Sequence, residues 1–452
     1  MRSDSLSLVR PCGRSRISIC RVLLATVASL VTVSSAVAAA PMFEENIVWQ
    51  DKEDDMLTYH VPTIFVSQAD TVFAAADARF KEYGDFGPHH LVMKRSTDGG
   101  RTWGKNVYIA RSDGKQIYLF PNFIQPQGSK RLFFFYTEKS RENMHYVTHV
   151  WLQHSDDDGL TWSKPRDIVD MMVRRDAELQ ELVRTRKAGP QFDHDNYVLY
   201  GRKSFYTGPG VAIRLSADHP VKPSRLIVPI LGMQDRWVHA LQRGQFNTFI
   251  VSDDNGDSWK PGGTIPIGDH QNSEPSVVEL DNGDLLLNAR VENRTYRVLS
   301  RSKDGGETWT ESKRFYGLPE YDQVHSGLLR YSFSRNDSTK TSRLLFCFPQ
   351  GGLQATEVRD KDGLHRAANS YKRENMSVWL SYDEHQTWAV KKVINPDSSF
   401  YSNMSKLSDG TILLIYGRDA ANGWMPRRNA VARFNLEWLT DGKDSLATGP
   451  KR

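Results

Sequence analysis

Apolar and polar positions along this chain fall into short runs rather than long helical stripes. Leu132 to Tyr136, Leu285 to Asn288, Leu344 to Phe348 and Ile412 to Tyr416 are compact apolar runs, of a length that predicts buried strands. Other strand-like segments, His145 to His154, Phe249 to Ser252, Tyr296 to Ser300 and Met376 to Ser381, each lead into one recurring turn. Its pattern is Ser-x-Asp-x-Gly-x-Thr/Ser-Trp, found at Ser96 to Trp103, Ser155 to Trp162, Ser252 to Trp259 and Ser302 to Trp309. A fifth copy keeps Ser381, Asp383, Thr387 and Trp388, has His385 in the glycine position, and reads as decayed. Ser and Asp side chains can bond their own backbone, Gly supplies positive φ, and Trp opens the following strand with a large apolar anchor, so each copy predicts a tight hairpin turn.

Short strands joined by repeated turns, in units of one blade's size, predict an all-β fold, a six-bladed β-propeller of four-stranded antiparallel blades. The apolar runs are expected as its inner strands and the turns as outer hairpins. The blade number follows from about four hundred residues at roughly 65 to 70 per blade. One segment departs from the strand pattern. Asp167 to Arg186 places Ile168, Met171, Met172, Leu179, Leu182 and Val183 near helical spacing among charges, which predicts a surface helix packed beside a blade.

Residues 1–38 are expected to be a signal peptide, leaving 39–452 as the propeller. Arg2, Arg10, Arg14, Arg16 and Arg21 precede an apolar run from Val22 to Val33, and Ala36, Val37 and Ala38 close it in a cleavage-site pattern. Cleavage after Ala38 and a secreted or periplasmic location follow from that reading. Losing this leader removes five Arg and one Asp, so the formal charge falls from +5 to +1. The remaining balance gives no argument for nucleic acid or an acidic membrane surface as partner. Cys12 and Cys20 leave with the leader, so Cys347 stands alone; an intramolecular disulfide is excluded, and its apolar surroundings predict a buried structural thiol. Asp193, His194 and Asp195 are adjacent with no second cluster to complete a shell, so no metal is expected. Asn293, Asn336, Asn375 and Asn403 begin glycosylation sequons.

An ordered series lies between and around the turns: Tyr59-His60-Val61-Pro62, Ala78-Arg79, Thr207-Gly208-Pro209-Gly210, Asn272-Ser273-Glu274, Leu287-Asn288-Ala289-Arg290, Arg373-Glu374-Asn375 and Phe400-Tyr401-Ser402. In that series and its turns the chain, from about Tyr59 to Tyr416, resembles the sialidases (exo-α-neuraminidases), the Asp-box glycosidases of glycoside hydrolase family 33. The resemblance implies hydrolysis of terminal α-linked sialic acid from glycoconjugates by a retaining mechanism. Sialic acid carries a carboxylate on its anomeric carbon, which would repel a carboxylate nucleophile, and sialidases use a Tyr instead. A phenol is mostly neutral at working pH and needs a base beside it. On this resemblance Tyr401 is the nucleophile, Glu274 its base and Asp85 the acid for the leaving group. Arg290 and Arg373 match two members of an arginine triad for the substrate carboxylate, a role that suits planar, bidentate guanidinium groups, and Arg79 matches a further site arginine. No cofactor is implied. The expected partners are sialylated or other acidic glycans, and the expected state is a monomer.

Two positions depart from the family pattern. His60 stands where the first triad arginine belongs, and Gly417 replaces the acidic residue that steadies it. Three readings stay open: a sialidase in which His60 serves as the cation, a glycosidase for a different acidic sugar, and a lectin-like propeller that binds without turnover. If His60 lies beside Arg290 and Arg373, like charge is expected to disfavour its protonation until an anion binds.

Overall fold

The computed structural model describes residues 39–141, 148–172, 177, 181, 204–233, 245–266, 272–291, 296–318, 324–351, 357–359, 365–367, 373–421 and 425–446. The expected leader, the Asp193 to Asp195 triplet and Asn293 lie outside them. The described unit is all-β, with consecutive strands pairing antiparallel in groups. Thr58–Val66, Val72–Arg79, His89–Ser96 and Val107–Ala110 form the first group. Gln116–Ile124, Leu132–Ser140, Thr148–Ser155 and Arg166–Asp167 form the next. Ser204–Thr207, Leu226–Met233, Gln245–Ser252 and Lys260–Thr264 follow, then Pro275–Glu279, Leu285–Ala289, Arg297–Ser302 and Lys313–Phe315. Gly327–Ser332, Arg343–Pro349 and Glu374–Ser381 lead into the long strand Val390–Lys406, whose first half completes their group. Its second half begins another with Ile412–Ala420 and Pro426–Phe434. The last edge is filled by Phe43–Gln50, which pairs with Pro426–Phe434 from Phe43↔Phe434 to Gln50↔Arg428.

The apolar runs take the second place in their groups, hydrogen-bonded to a strand on each side. That position explains their composition: Leu285–Ala289 and Arg343–Pro349 are buried at every residue, and strands covered on both faces lose the polar alternation. The recurring turns join third to fourth strands. In each, the Ser hydroxyl accepts from the Gly N–H, as at Gly159 N to Ser155 Oγ (2.8 Å), and donates to the Asp carboxylate. That carboxylate also takes the Thr or Ser N–H and hydroxyl, as at Thr161.

Each turn also docks on the preceding group. Trp259 meets Phe133 and Phe135 at 5.4 and 5.0 Å between ring centroids, and Trp309 stacks on Phe249 at 4.8 Å. Gly256 has φ +90°, and a Cβ there would stand 2.2 Å from the Phe133 ring. This close approach and the positive φ together call for glycine. The fifth copy is intact as a turn. His385 takes φ +73° and its N–H reaches Ser381 Oγ at 3.0 Å. Its imidazole fills the space beside the preceding group, bonding Asn288 at 3.0 Å and meeting the Phe315 ring at 4.8 Å.

Residues 169–172, 177 and 181 are helical, in line with the helix expected over Asp167 to Arg186, while Arg166–Asp167 is a short strand. The other residues of that segment lie outside the described ones. Cys347 is fully buried, and burial pushes its thiol up to about 12. Among the described residues no helix is long and apolar enough to cross a membrane.

The turn glycines predict unequal sensitivity to a methyl group. Gly306→Ala meets nothing nearer than 3.5 Å and should cost about 1–2 kcal/mol for the left-handed backbone alone. Gly159→Ala would stand 2.3 Å from Phe73 Cε1 and should lose a further ~1–3 kcal/mol from overpacking. Urea midpoints of the two variants measure the difference, and equal midpoints would contradict docking of the turn on its neighbour.

Candidate active site

Three irregularities in the sheets converge on one place. Register shifts between His60 and Thr63, between Leu119 and Asn122, and between Ser399 and Ser402. Val61 and Phe120, inside the first two, have φ +46° and +58°. Bulges redirect side chains that a regular strand would send elsewhere. Here Val61, Val324 and Tyr401 form one apolar cluster, with Phe120 packed against it.

Tyr401 Oη donates to Glu274 Oε1 at 2.7 Å, and Arg290 Nη1 lies 3.0 Å from that hydroxyl and 2.9 Å from Glu274 Oε1. Backbone pairing sets the geometry: Arg290 N donates to Glu274 O and Ser273 N to Arg290 O, so acid and guanidinium face each other beyond the ends of paired strands. The segment Thr207 to Gly210 braces this edge. A Cβ on Gly210 would fall 1.8 Å from Pro275 O, which restricts that position to glycine. Burial, reinforced by the negative charge of Glu274, pushes the Tyr401 phenol well above its ordinary range.

Arg373 precedes strand Glu374–Ser381 and is fixed through its carbonyl, which accepts from Ser399 N at 2.7 Å. Its guanidinium carbon lies 6.0 Å from the centre of the Tyr401 ring. His60 approaches that ring edge-on, with centroids 5.0 Å apart. Burial, followed by the charges of Arg79, Arg373 and His89, holds the His60 imidazole well below its ordinary pKa. The expectation that Arg290 would be one of its two cationic neighbours is replaced by Arg79, and burial outweighs both charges. His60 Nδ1 is buried with no hydrogen-bond partner among the described residues.

Arg79 is buried and Asp85 is 74% exposed, with Nη1 to Oδ1 at 2.9 Å. Arg79 Nε also meets Asp77 Oδ2 at 3.0 Å, and His89 Nδ1 lies 3.3 Å from the same oxygen. Burial, working against the pull of Arg79, pushes the Asp77 carboxyl up to about 6. The structure thus gathers Glu274, Arg290 and Tyr401 in direct contact, with Arg373 and His60 against the Tyr401 ring. Arg79 and Asp85 form a second pair, whose guanidinium is close enough to perturb His60.

Sequence reasoning missed several supporting residues. Asp77 sits two residues before Arg79 on one strand, hence on the same face, and that spacing was a usable signal. His325 had none. Its Nε2 lies 3.0 Å from Asn403 Oδ1, its ring is 6.5 Å from Tyr401, and burial pushes it down to about 4. The Asn403 amide donates to Pro62 O and Pro209 O, both at 3.2 Å, so this sequon is committed inside the fold. Asn375 Nδ2 likewise donates to Gly351 O. Gly417 is tightly packed: a Cβ there would stand 3.0 Å from Phe400 Cβ and from Pro426 Cβ and Cγ, so a side chain needs those neighbours to give by a few tenths of an ångström.

The sequence profile of the BNR repeat-like domain matches residues 71–415. A sialidase of Micromonospora viridifaciens is 26% identical over 416 residues, covering 88% of this chain and 55% of the relative, so the chain spans little more than half of that protein. Among solved structures, the intramolecular trans-sialidase from Ruminococcus gnavus in complex with oseltamivir carboxylate has a TM-score of 0.62 at 17% identity, covering 90% of this chain and 99% of that one. A Trypanosoma rangeli sialidase in complex with sialic acid has a TM-score of 0.61 at 18% identity, covering 89% and 60%. At these identities the structural likeness speaks for the fold. Most of the chain lies within the matched profile, and the chain belongs to the BNR repeat-like domain family and, within it, to the sialidases of glycoside hydrolase family 33.

Proposed function

We propose that this protein is a retaining exo-α-sialidase in which Tyr401 attacks the anomeric carbon and Glu274 takes the phenol proton. The contact that carries this reading is the 2.7 Å hydrogen bond from Tyr401 Oη to Glu274 Oε1, with Arg290 against both oxygens. A phenol whose ionisation is opposed by burial cannot wait as a phenolate; its proton must leave as the bond to carbon forms, and Glu274 is the acceptor within reach. Arg290 and Arg373 bind the substrate carboxylate, and Asp85, held by Arg79, protonates the leaving oxygen. The antiparallel groups are the four-stranded blades of a six-bladed propeller, and residues 1–38 direct export. Acidic glycans are the partners. The neutral, buried His60 favours a sugar whose carboxylate draws on two arginines at rest, with a third cation created only on binding.

Tyr401→Phe and Glu274→Gln should each lower kcat on a fluorogenic sialoside by about a thousandfold or more, and the double variant should lose little beyond the worse single one. Wild-type kcat in either would overturn the pair. For Asp85→Ala the loss should be large on a natural disaccharide and small on a substrate with an acidic phenol leaving group, which needs little proton donation. An equal loss on both would remove Asp85 as the acid.

The sign of the His60 effect follows from its surroundings. A bound carboxylate offsets Arg79 and Arg373 and raises the imidazole pKa, so substrate binding takes up a proton. KM should be lowest at acid pH, rise as pH increases from the free-state towards the bound-state pKa of His60, and level off above it. His60→Arg should abolish that rise and bind more tightly; unchanged KM profiles in the variant would show that His60 does not meet the carboxylate.

A further inference from the structure

The wall beside Asp85 contains a cation that the hydrolytic reading does not use. Phe86, next in sequence to Asp85, is 54% exposed. Lys139 Nζ lies 5.3 Å from the centre of the Phe86 ring and 5.7 Å from that of Tyr206. Two aromatic faces hold an ammonium in place by cation–π attraction. Lys139 makes no ion pair with any described residue, and Asp85, the carboxylate whose charge acts on it, is bonded to Arg79 instead. The framework is fixed. Arg141 donates to Phe86 O at 3.0 Å, to Gly114 O at 3.1 Å and to Glu82 Oε1 at 2.9 Å, pinning the segment that carries Asp85 and Phe86. The wall runs on to the nucleophile: Tyr206 meets Phe120 edge-on at 6.4 Å, and Phe120 packs against the cluster containing Tyr401.

We propose that Lys139, framed by Phe86 and Tyr206, is a subsite for an anionic group on the leaving side of the scissile bond, so that the favoured substrate links the cleaved acidic sugar to a second acidic sugar. This rests on the hydrolase reading above. If Tyr401 attacks the anomeric carbon and Asp85 protonates the leaving oxygen, the departing residue must stand on the Asp85 side, within reach of the Lys139 ammonium. A neutral departing sugar leaves that ammonium without a counter-charge. A carboxylate there pairs with it at a half-buried position, where such a contact is screened less than at an open surface.

The test compares kcat/KM for two substrates that share the cleaved residue: an α-linked disialic acid, whose leaving sugar carries a carboxylate, and sialyllactose, whose leaving sugar is neutral. Wild type should favour the disialic acid, and added salt should shrink that preference. Lys139→Gln should reduce the ratio about fivefold, Lys139→Glu further, and Lys139→Arg should preserve it. A ratio insensitive both to salt in wild type and to Lys139→Gln would overturn the subsite while leaving the hydrolase reading intact. Failure of wild type to release sugar from either substrate, or from a fluorogenic sialoside, would overturn the hydrolase reading and the subsite together.

Discussion

The pairing of Phe43–Gln50 with Pro426–Phe434 brings the beginning and the end of the folded chain together, and the site exists only because of that seam. His60 lies in the first group and Tyr401 in the last, yet their rings are 5.0 Å apart. Polar contacts cross the same boundary: Thr58 Oγ1 to Pro426 O at 2.7 Å, Asn429 Nδ2 to Tyr59 O at 2.8 Å, and Asn403 Nδ2 to Pro62 O. These are buried donors meeting backbone acceptors, and leaving them unmade would be costly. The seam is therefore specified by backbone satisfaction as much as by apolar packing.

Within that frame the site holds three guanidinium groups, Arg79, Arg290 and Arg373, and three carboxylates, of which Glu274 and Asp77 are buried and Asp85 is largely exposed. Glu274 is matched by Arg290, and Asp77 by Arg79, as buried charges require. The three histidines of the region, His60, His89 and His325, are held neutral chiefly by burial. Extra positive charge would make the empty pocket unstable, whereas neutral imidazoles accept the same volume at a smaller desolvation cost. The resting pocket is thus set to gain an anion.

Much of this was legible in the residues. The recurring turn gave strand boundaries, because the Ser, Asp and Gly positions each have a backbone bond to make or a φ to supply. Glu274, Arg290, Arg373 and Tyr401 were readable because each belongs to a motif with distinctive neighbours. The misreadings have physical causes. His385 looked like decay because a pattern cannot show that the neighbouring group leaves room for an imidazole. His325 and Phe120 were invisible because a bulge, not a period, turns their region toward Tyr401. Lys139 was equally silent, since only folding sets its ammonium between Phe86 and Tyr206.

The crowding at Gly417 ties the pocket to the seam. A Cβ at position 417 would stand 3.0 Å from the side chains of both Phe400 and Pro426. Phe400 adjoins Tyr401, and Pro426 O anchors Thr58 across the seam. Any change at 417 therefore presses at once on the segment that carries Tyr401 and on the closure between the first and last groups, so pocket and seam share one wall.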